Sequence, residues 1–219
     1  MSTLKSVLAG LLISLFAASA SAAVETDVCA PFKDGGVDEL TISRMLKAAD
    51  DGHLYRIEAS SSKVSFCVES PVGLIEGEFR DFTGGLTFLN ENVTDDEHAL
   101  VKVNTDSLET DGALIQKMLK GKKFFDVKNF PEILFVSTGF KWISDNEAIL
   151  QGNLTMHGIT KAVGFHVELI EQPGEDAHRI VVKATTLIHR SEFGLTALSP
   201  MVSNSVSLCM SVDAVRYKS

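Results

Sequence analysis

Apolar and polar residues alternate along most of this chain, from about Tyr55 to about Val215. Clusters of Gly, Asn and Asp separate one alternating segment from the next. A period of two is typical of antiparallel strands that have one apolar face. The pattern therefore predicts an all-β barrel or sandwich that encloses apolar space.

The alternating segments predict ten strands, at Tyr55–Ile57, Lys63–Glu69, Leu74–Arg80, Gly85–Leu89, Ala99–Asn104, Ile133–Phe140, Ala148–Met156, Ala162–Ile170, Arg179–Ile188 and Ser205–Val215. Two other segments have helical spacing. Val37–Ala49 contains a possible capping residue, Asp38, ahead of its apolar positions and predicts a short helix outside the barrel, which either packs on its surface or plugs one end. Residues 112–121 predict a second helix, inserted between strands near a barrel mouth.

The first 22 residues have the composition of an export signal. Lys5 precedes an apolar run from Val7 to Ala18, and the small residues Ala20-Ser21-Ala22 follow. This combination predicts a cleavable secretory signal with cleavage after Ala22. The apolar run is shorter than the ~20 residues of a membrane-spanning helix. We therefore expect an exported chain with a signal peptide at 1–22, an N-terminal helical extension at 23–52 and one β-barrel domain at 53–219.

The chain is acidic. It has 20 Lys and Arg against 29 Asp and Glu, a net charge of −9. Loss of Lys5 with the leader leaves 19 basic residues against 29 acidic ones, a net charge of −10. Such a charge repels nucleic acid and anionic lipid. We therefore expect no nucleic-acid partner and no direct membrane insertion of the mature chain.

Three cysteines are present, at positions 29, 67 and 209. Alternation places Cys67 and Cys209 on the polar faces of their strands. In a closed up-and-down barrel the first and last strands are neighbours, so a disulfide between these two residues is one alternative. Two unbridged thiols are the other.

Sequence signatures of an enzyme are mostly absent. The chain lacks a Gly-x-Ser-x-Gly elbow, a phosphate-binding glycine loop, His-Glu-x-x-His and Cys-x-x-Cys. Residues 60–63 satisfy Ser-x-x-Lys, but they open a predicted strand, whereas acylating serines of this type begin a helix. The six histidines lack metal-ligand spacing. We therefore expect no catalytic activity, no cofactor and no metal.

Several motifs together resemble one family. The motifs are Tyr55–Ile57, Val64–Phe66, Gly77–Gly84, Phe124–Pro131, Gly152–Val163 and His189–Leu195. In order and spacing they resemble the YceI-like family, over about residues 53 to 216. The resemblance implies an extended, lipocalin-like antiparallel β-barrel of about eight strands. It also implies export to the periplasm and binding of a polyisoprenoid, an isoprenoid quinone or another long-chain lipid in an apolar tunnel, without catalysis.

Two departures from the family pattern concern the lipid headgroup. The family often has Arg-Asp-x-His in the inserted segment, where this chain has Ile115–Met118, and a histidine after the first long strand, where it has Glu69-Ser70. Lys117, Lys120 and Arg190 are the remaining candidates for headgroup contacts. For the basic cluster on the inserted helix, a solvated surface is the other interpretation.

The candidate tunnel wall is formed by apolar residues of the strands and of the inserted segment. These are Val64, Phe66, Val68, Phe79, Phe82, Met118, Leu119, Phe124, Phe125, Phe135, Leu154, Met156, Phe165, Val167, Phe193, Leu208 and Met210. Tight packing among these side chains is the alternative to a ligand. Two other functions stay open, an interaction module for a membrane redox protein and an enzyme that acts on the bound lipid through His157, His166 or Arg190. The sequence does not decide between a monomer and a homodimer.

Overall fold

The computed structural model describes residues 37–88, 97–171 and 178–217. The leader and Cys29 lie outside the described residues, so the signal peptide stays a prediction. The elements are helix α1 (Glu39–Asp50), strands β1 (Leu54–Ile57), β2 (Lys63–Ser70), β3 (Gly73–Phe79), β4 (Phe82–Thr87), β5 (Ala99–Asn104) and β6 (Leu108–Thr110), helix α2 (Ala113–Leu119), and strands β7 (Glu132–Trp142), β8 (Glu147–Met156), β9 (Ile159–Glu171), β10 (Arg179–His189) and β11 (Ser205–Arg216).

The described strands form one antiparallel sheet of 11 strands that closes on itself. Three pairs of successive strands, β1 with β2, β3 with β4 and β5 with β6, each form one long bent strand of the barrel. Together with β7 to β11 these three long strands give a closed antiparallel barrel of 8 strands. This confirms the predicted lipocalin-like barrel.

The closing seam joins β1 to β11. Tyr55 lies opposite Arg216 and is buried. Its hydroxyl oxygen accepts hydrogen bonds from Arg216 Nε at 3.3 Å and Nη2 at 3.0 Å. At the bend between β1 and β2, the Ser62 hydroxyl donates to the Asp213 carbonyl at 3.2 Å and accepts from the Asp213 amide at 2.9 Å. The two hydrogen bonds of Ser62 satisfy backbone groups of Asp213 that the bend leaves without partners in the sheet.

Helix α1 packs on the outside of the barrel. Its capping residue, Asp38, accepts a hydrogen bond from the Thr41 amide at 2.9 Å. Met45 is buried against Leu54 and Leu100 in a cluster separate from the barrel core. The predicted helix is therefore confirmed, and it has the surface-packed position of the two that the sequence left open.

The barrel has two ends that differ in their loops. The upper end carries the β2–β3 turn, the β6–β7 segment with α2, the β8–β9 turn and the β10–β11 segment. The lower end carries the start of β1, the β7–β8 turn and the end of β11. Helix α2 lies within the predicted inserted segment 112–121, so that prediction is also confirmed.

Candidate functional site

The upper half of the barrel contains an apolar chamber with a volume of about 140 Å³. Of the 25 residues that line it, Ser65 and Arg190 are the polar ones. Strand alternation places the apolar residues inward, and α2 with the segment after it covers part of the opening. A chamber with this lining excludes water and favours hydrocarbon.

A second apolar chamber of about 90 Å³ lies in the lower half of the barrel. Phe135, Val101 and Met210 line both chambers, so they form the wall between them. The ring of Phe135 packs edge to face on Phe165, with 5.2 Å between the ring centroids. The apolar interior is therefore divided, with Phe135 at the division.

The structure places most of the predicted tunnel residues around the upper chamber. Fourteen of the 17 candidates line it. Val167 lines the lower chamber, whereas Phe82 and Phe193 are buried in the core and line neither chamber. Contact of any of these residues with a ligand stays a prediction.

Sequence reasoning missed most of the lower chamber, which Phe140 and Trp142 help to line. On β7, Ile133 and Phe135 point inward, but the strand register shifts between Ser137 and Gly139. A bulge of this kind inserts one residue and reverses the parity of the inward positions. The even-numbered Phe140 and Trp142 therefore face the interior. The glycine at position 139 was the available signal.

The paired phenylalanines after α2 close part of the upper chamber. The Phe125 ring packs against Phe66 and Phe79, with 5.6 Å between ring centroids in both cases. Phe66 in turn lies on Gly77 of the neighbouring strand, where a Cβ atom would lie 2.4 Å from its ring. The glycine leaves space for an aromatic cluster, and this cluster anchors the inserted segment to the barrel wall.

Arg190 lines the upper chamber, but its guanidinium group is engaged by the backbone of the β10–β11 segment. Its Nε donates to Ser203 O at 2.8 Å, Nη1 donates to Ala197 O at 2.8 Å and also to Leu195 O, and Nη2 donates to Val202 O at 3.0 Å. Burial lowers the pKa of the guanidinium, which still stays charged. Its observed role is to hold this segment in place, and its headgroup contact stays a prediction.

The structure does not bring the two candidate lysines to the chamber. Lys117 and Lys120 line a surface groove on the outside of α2, together with Lys122 and Asp106. Lys120 Nζ lies 3.4 Å from Asp106 Oδ1 and donates to the Asp106 carbonyl oxygen. The three predicted headgroup contacts therefore occupy two different sites.

Cys67 and Cys209 are free cysteines in the structure, so the disulfide considered from the sequence is not formed. The first and last long strands are neighbours as expected, but Cys67 lies opposite Ser207 and Cys209 lies opposite Ser65. The two cysteines are thus diagonal neighbours, and the ~7–8 Å typical of that arrangement exceeds the ~4.4–6.8 Å usual between the Cα atoms of a disulfide. Burial raises the pKa of the Cys209 thiol, and the nearby Cys67 adds to the shift.

The candidate histidines are not brought together. His157 lies in the β8–β9 turn with its ring 4.2 Å from that of Phe130. His166 lies along β9, opposite Ile149, and its Nε2 is 3.8 Å from Glu147 Oε1. Within residues 37–88, 97–171 and 178–217, no group of three or more His, Cys, Asp or Glu is arranged to hold a metal ion.

None of the helices in the described part of the chain has both the length and the apolar character needed to cross a membrane.

Comparison with known proteins identifies similar sequences. A family model described as YceI-like domain matches residues 55–214. A UPF0312 protein of Yersinia pestis (strain Pestoides F) is 35% identical over 144 residues, which cover 65% of this chain and 74% of that protein. A UPF0312 protein of Enterobacter sp. (strain 638) is 37% identical over 147 residues, with the same coverage of 65% and 74%.

Solved structures show the same fold at low sequence identity. BcnA of Burkholderia cenocepacia matches with a TM-score of 0.67 and 22% identity, over 73% of this chain and 99% of that chain. A polyisoprenoid binding domain from Saccharophagus degradans, implicated in plant cell wall breakdown, matches with a TM-score of 0.58 and 14% identity, over 74% of this chain and 98% of that chain.

Proposed function

The chain belongs to the YceI-like domain family, and from that premise we propose that it is an exported, non-catalytic protein that holds a polyisoprenoid, an isoprenoid quinone or a similar long-chain amphiphile for transport or storage. The apolar chamber in the upper half of the barrel carries the proposal. The polyisoprenoid-binding neighbour of the same fold and the export leader predicted at residues 1–22 support it.

Burial of the hydrocarbon tail supplies the affinity. Each buried methylene contributes about 0.8 kcal/mol, so one five-carbon prenyl unit contributes about 3 to 4 kcal/mol before ordering losses. Polar residues are scarce in the chamber wall, and the Arg190 guanidinium is bonded to backbone carbonyls. Tail length should therefore determine affinity more strongly than the headgroup does.

The chamber volumes limit how much tail can enter without a rearrangement. The upper chamber holds about 140 Å³, and a cavity of ~150 Å³ accommodates one benzene molecule. It therefore accommodates one group of five or six carbons as it stands. A longer tail requires the side chains between the chambers to move, and Met210, with its flexible thioether chain, is suited to do so.

The absence of catalysis is part of the proposal. His157, His166 and Arg190 were the candidates for chemistry on a bound lipid. Arg190 lines the chamber, whereas His157 lies in the β8–β9 turn and His166 is exposed along β9. Of these three candidates, only Arg190 therefore reaches the upper chamber, and they do not form an acid and base pair there.

Two measurements test the proposal. The first is mass spectrometry of lipid that copurifies with the protein from its native host, and we expect a long-chain isoprenoid. The second is binding of prenols of increasing length to delipidated protein. Affinity should rise with each added unit as the side chains between the chambers move and the tail enters the lower chamber, and a flat dependence on length would contradict the proposal.

A blocking variant provides the matched control. Met156 is buried and lines the upper chamber, so Met156→Trp should reduce prenol affinity at least about tenfold by filling the space. Ile143 is 57% exposed in the β7–β8 turn and lines neither chamber, so Ile143→Trp should leave affinity unchanged. Equal prenol binding by the two variants would place the ligand outside the barrel.

A further inference from the structure

The upper end of the barrel exposes an unusual set of apolar side chains. They come from the β2–β3 hairpin, from α2 and from the β10–β11 segment. We call the six the mouth rim: Val72, Leu74, Leu114, Met118, Leu198 and Met201. They make up half of the 12 exposed large apolar residues found in the described ranges. Their exposed fractions run from 39% for Met118 to 83% for Val72.

The mouth rim is continuous with the apolar chamber. Met118 and Leu198 belong to the rim and also line the upper chamber. These two side chains therefore extend the apolar lining of the chamber to the outer surface of the protein. Exposed apolar patches of this kind mark sites of interaction.

The loops around the rim differ in charge from the rest of the chain. The segments 71–72, 111–131, 157–158 and 190–204 hold six Lys and Arg against three Asp and Glu, a net charge of +3, whereas the whole chain has a net charge of −9. Lys117, Lys122 and Lys123 are exposed beside α2. This local charge is opposite in sign to the net charge from which repulsion of anionic lipid was expected.

We propose that the mouth rim docks on the surface of an anionic bilayer, with the chamber opening facing the lipid. The apolar side chains enter the boundary between headgroups and acyl chains, while the lysines around them face anionic headgroups. Docking lets a hydrocarbon tail pass between membrane and chamber without exposure to water. This inference rests on the proposed lipid-binding function for its purpose, but the docking itself is measured separately.

A second copy of the chain fits this surface less well than a membrane does. A symmetric dimer would bring two identical rims together. Each rim carries a net positive charge from its surrounding loops, so the two surfaces would repel each other. An anionic membrane complements both the apolar and the basic part of the surface.

Vesicle flotation tests the docking, with protein purified in the form that its native host accumulates. Vesicles contain phosphatidylcholine alone or phosphatidylcholine and phosphatidylglycerol in equal parts. The test variant combines Val72→Ser, Leu114→Ser and Met201→Ser, at exposed positions that line neither chamber. The matched control combines Leu40→Ser, Ile143→Ser and Ile170→Ser, which are exposed apolar positions away from the upper end.

We expect the natural protein and the control to float with the anionic vesicles, less so in high salt, and the test variant to lose about tenfold or more of its binding. Failure of the natural protein to bind anionic vesicles would overturn the proposal. Equal binding by test and control variants would also overturn it, as would a rim-dependent dimer without vesicle binding.

Binding of farnesol in solution keeps this test separate from the proposed function. The test variant should bind farnesol like the control, because the altered side chains lie outside the chamber. If the natural protein docks but binds no prenol, the proposed function fails and the docking stands. The single change Met201→Glu, at a residue that is 63% exposed, checks the same surface with little risk to the fold and should also reduce flotation.

Discussion

The aromatic ring of Phe135 lies directly on Gly152 of the neighbouring strand. A Cβ atom at position 152 would lie 2.4 Å from the ring Cζ of Phe135 and 2.6 Å from the carbonyl oxygen of Val136. The ring can occupy this place because glycine lacks a side chain. Since Phe135 stands in the wall between the two chambers, Gly152 indirectly determines where that wall lies.

Substitution of Gly152 should disturb both stability and ligand binding. Gly152→Ala forces the Phe135 ring away from the strand and into chamber space, at a cost of about 1–3 kcal/mol for overpacking. Urea unfolding would measure the loss, and prenol titration should show weaker binding. Gly164→Ala on β9 is the control, because its Cβ would meet Ile149 Cγ2 at an ordinary 3.9 Å. Equal effects of the two changes would show that the Phe135 contact is unimportant.

A smaller side chain at position 135 should join the chambers. Phe135→Leu removes part of the wall, so we expect tighter binding of long prenols relative to short ones, together with a loss of stability of about 1–3 kcal/mol. A chain-length series of binding measurements would detect the shift in preference. Phe130→Leu serves as the control, since Phe130 packs on His157 and lines neither chamber. An unchanged length preference would exclude Phe135 as the divider.

Most of the fold could be predicted from the sequence because strand alternation is a local signal. The ten predicted strands are all present, with ends that shift by up to three residues at described positions. Strand β6 was missed because Leu108–Thr110 has three residues, too few for an alternating pattern to stand out. Helix α2 was found because its apolar spacing interrupts the alternation.

The site was harder to predict because it depends on tertiary geometry. The bulge in β7 turns the side chains of Phe140 and Trp142 towards the barrel interior. A strict alternation of apolar and polar positions along the strand would place them on the outer face. The four carbonyl partners of Arg190 come from a segment without regular pattern, so the sequence indicated a headgroup contact for Arg190 and did not show these backbone contacts. The mouth rim likewise gathers residues from three separate segments of the chain, the β2–β3 hairpin, α2 and the β10–β11 segment.

Arg190 should be required for its geometry more than for its charge. Arg190→Lys keeps the positive charge but lacks the planar fork that reaches several carbonyls. We expect both Arg190→Lys and Arg190→Ala to lose about 3 kcal/mol of stability, because buried carbonyls lose charged donors. Thermal unfolding and limited proteolysis between positions 194 and 204 would measure the effect. Full stability of Arg190→Lys would show that the positive charge of Arg190, and not its planar geometry, is what this segment requires.

Cys67 and Cys209 should stay reduced, and Cys209 should react slowly. Because burial raises the pKa of Cys209, little of its thiolate is present near neutral pH. We expect iodoacetamide to modify Cys209 more slowly than a free cysteine. The rate should rise only when the pH exceeds the ordinary range of thiol pKa values. The intact mass after mild oxidation should show no Cys67–Cys209 bridge, because the diagonal register holds the thiols apart. Rapid formation of that bridge would show that β2 and β11 shift readily.

An ion pair between the buried Asp213 and the exposed Arg179, next to the barrel seam, should make stability depend on pH in the acid range. Arg179 Nε and Nη2 each donate to a carboxylate oxygen of Asp213 at 2.7 Å. These bonds lower the pKa of Asp213 against the opposing effect of burial. The ionised form is therefore the one that stabilises the fold. Its contribution is complete above the ordinary Asp pKa of about 3.9 and is lost as the pH falls through the lower value of the folded state.

Asp213→Asn should accordingly cost about 2 kcal/mol of unfolding free energy near neutral pH, a value typical of hydrogen bonds to charged groups. The difference between the natural protein and the variant should shrink below pH of about 4 and nearly vanish once Asp213 is protonated in the folded protein. Urea unfolding at a series of pH values would measure it. Asp51→Asn is the control, since the exposed Lys47–Asp51 pair, with an Nζ to Oδ2 distance of 2.7 Å, is screened by water and should contribute little at any pH. A difference for Asp213→Asn that persists unchanged into strong acid would mean that the carboxylate charge does not stabilise the seam.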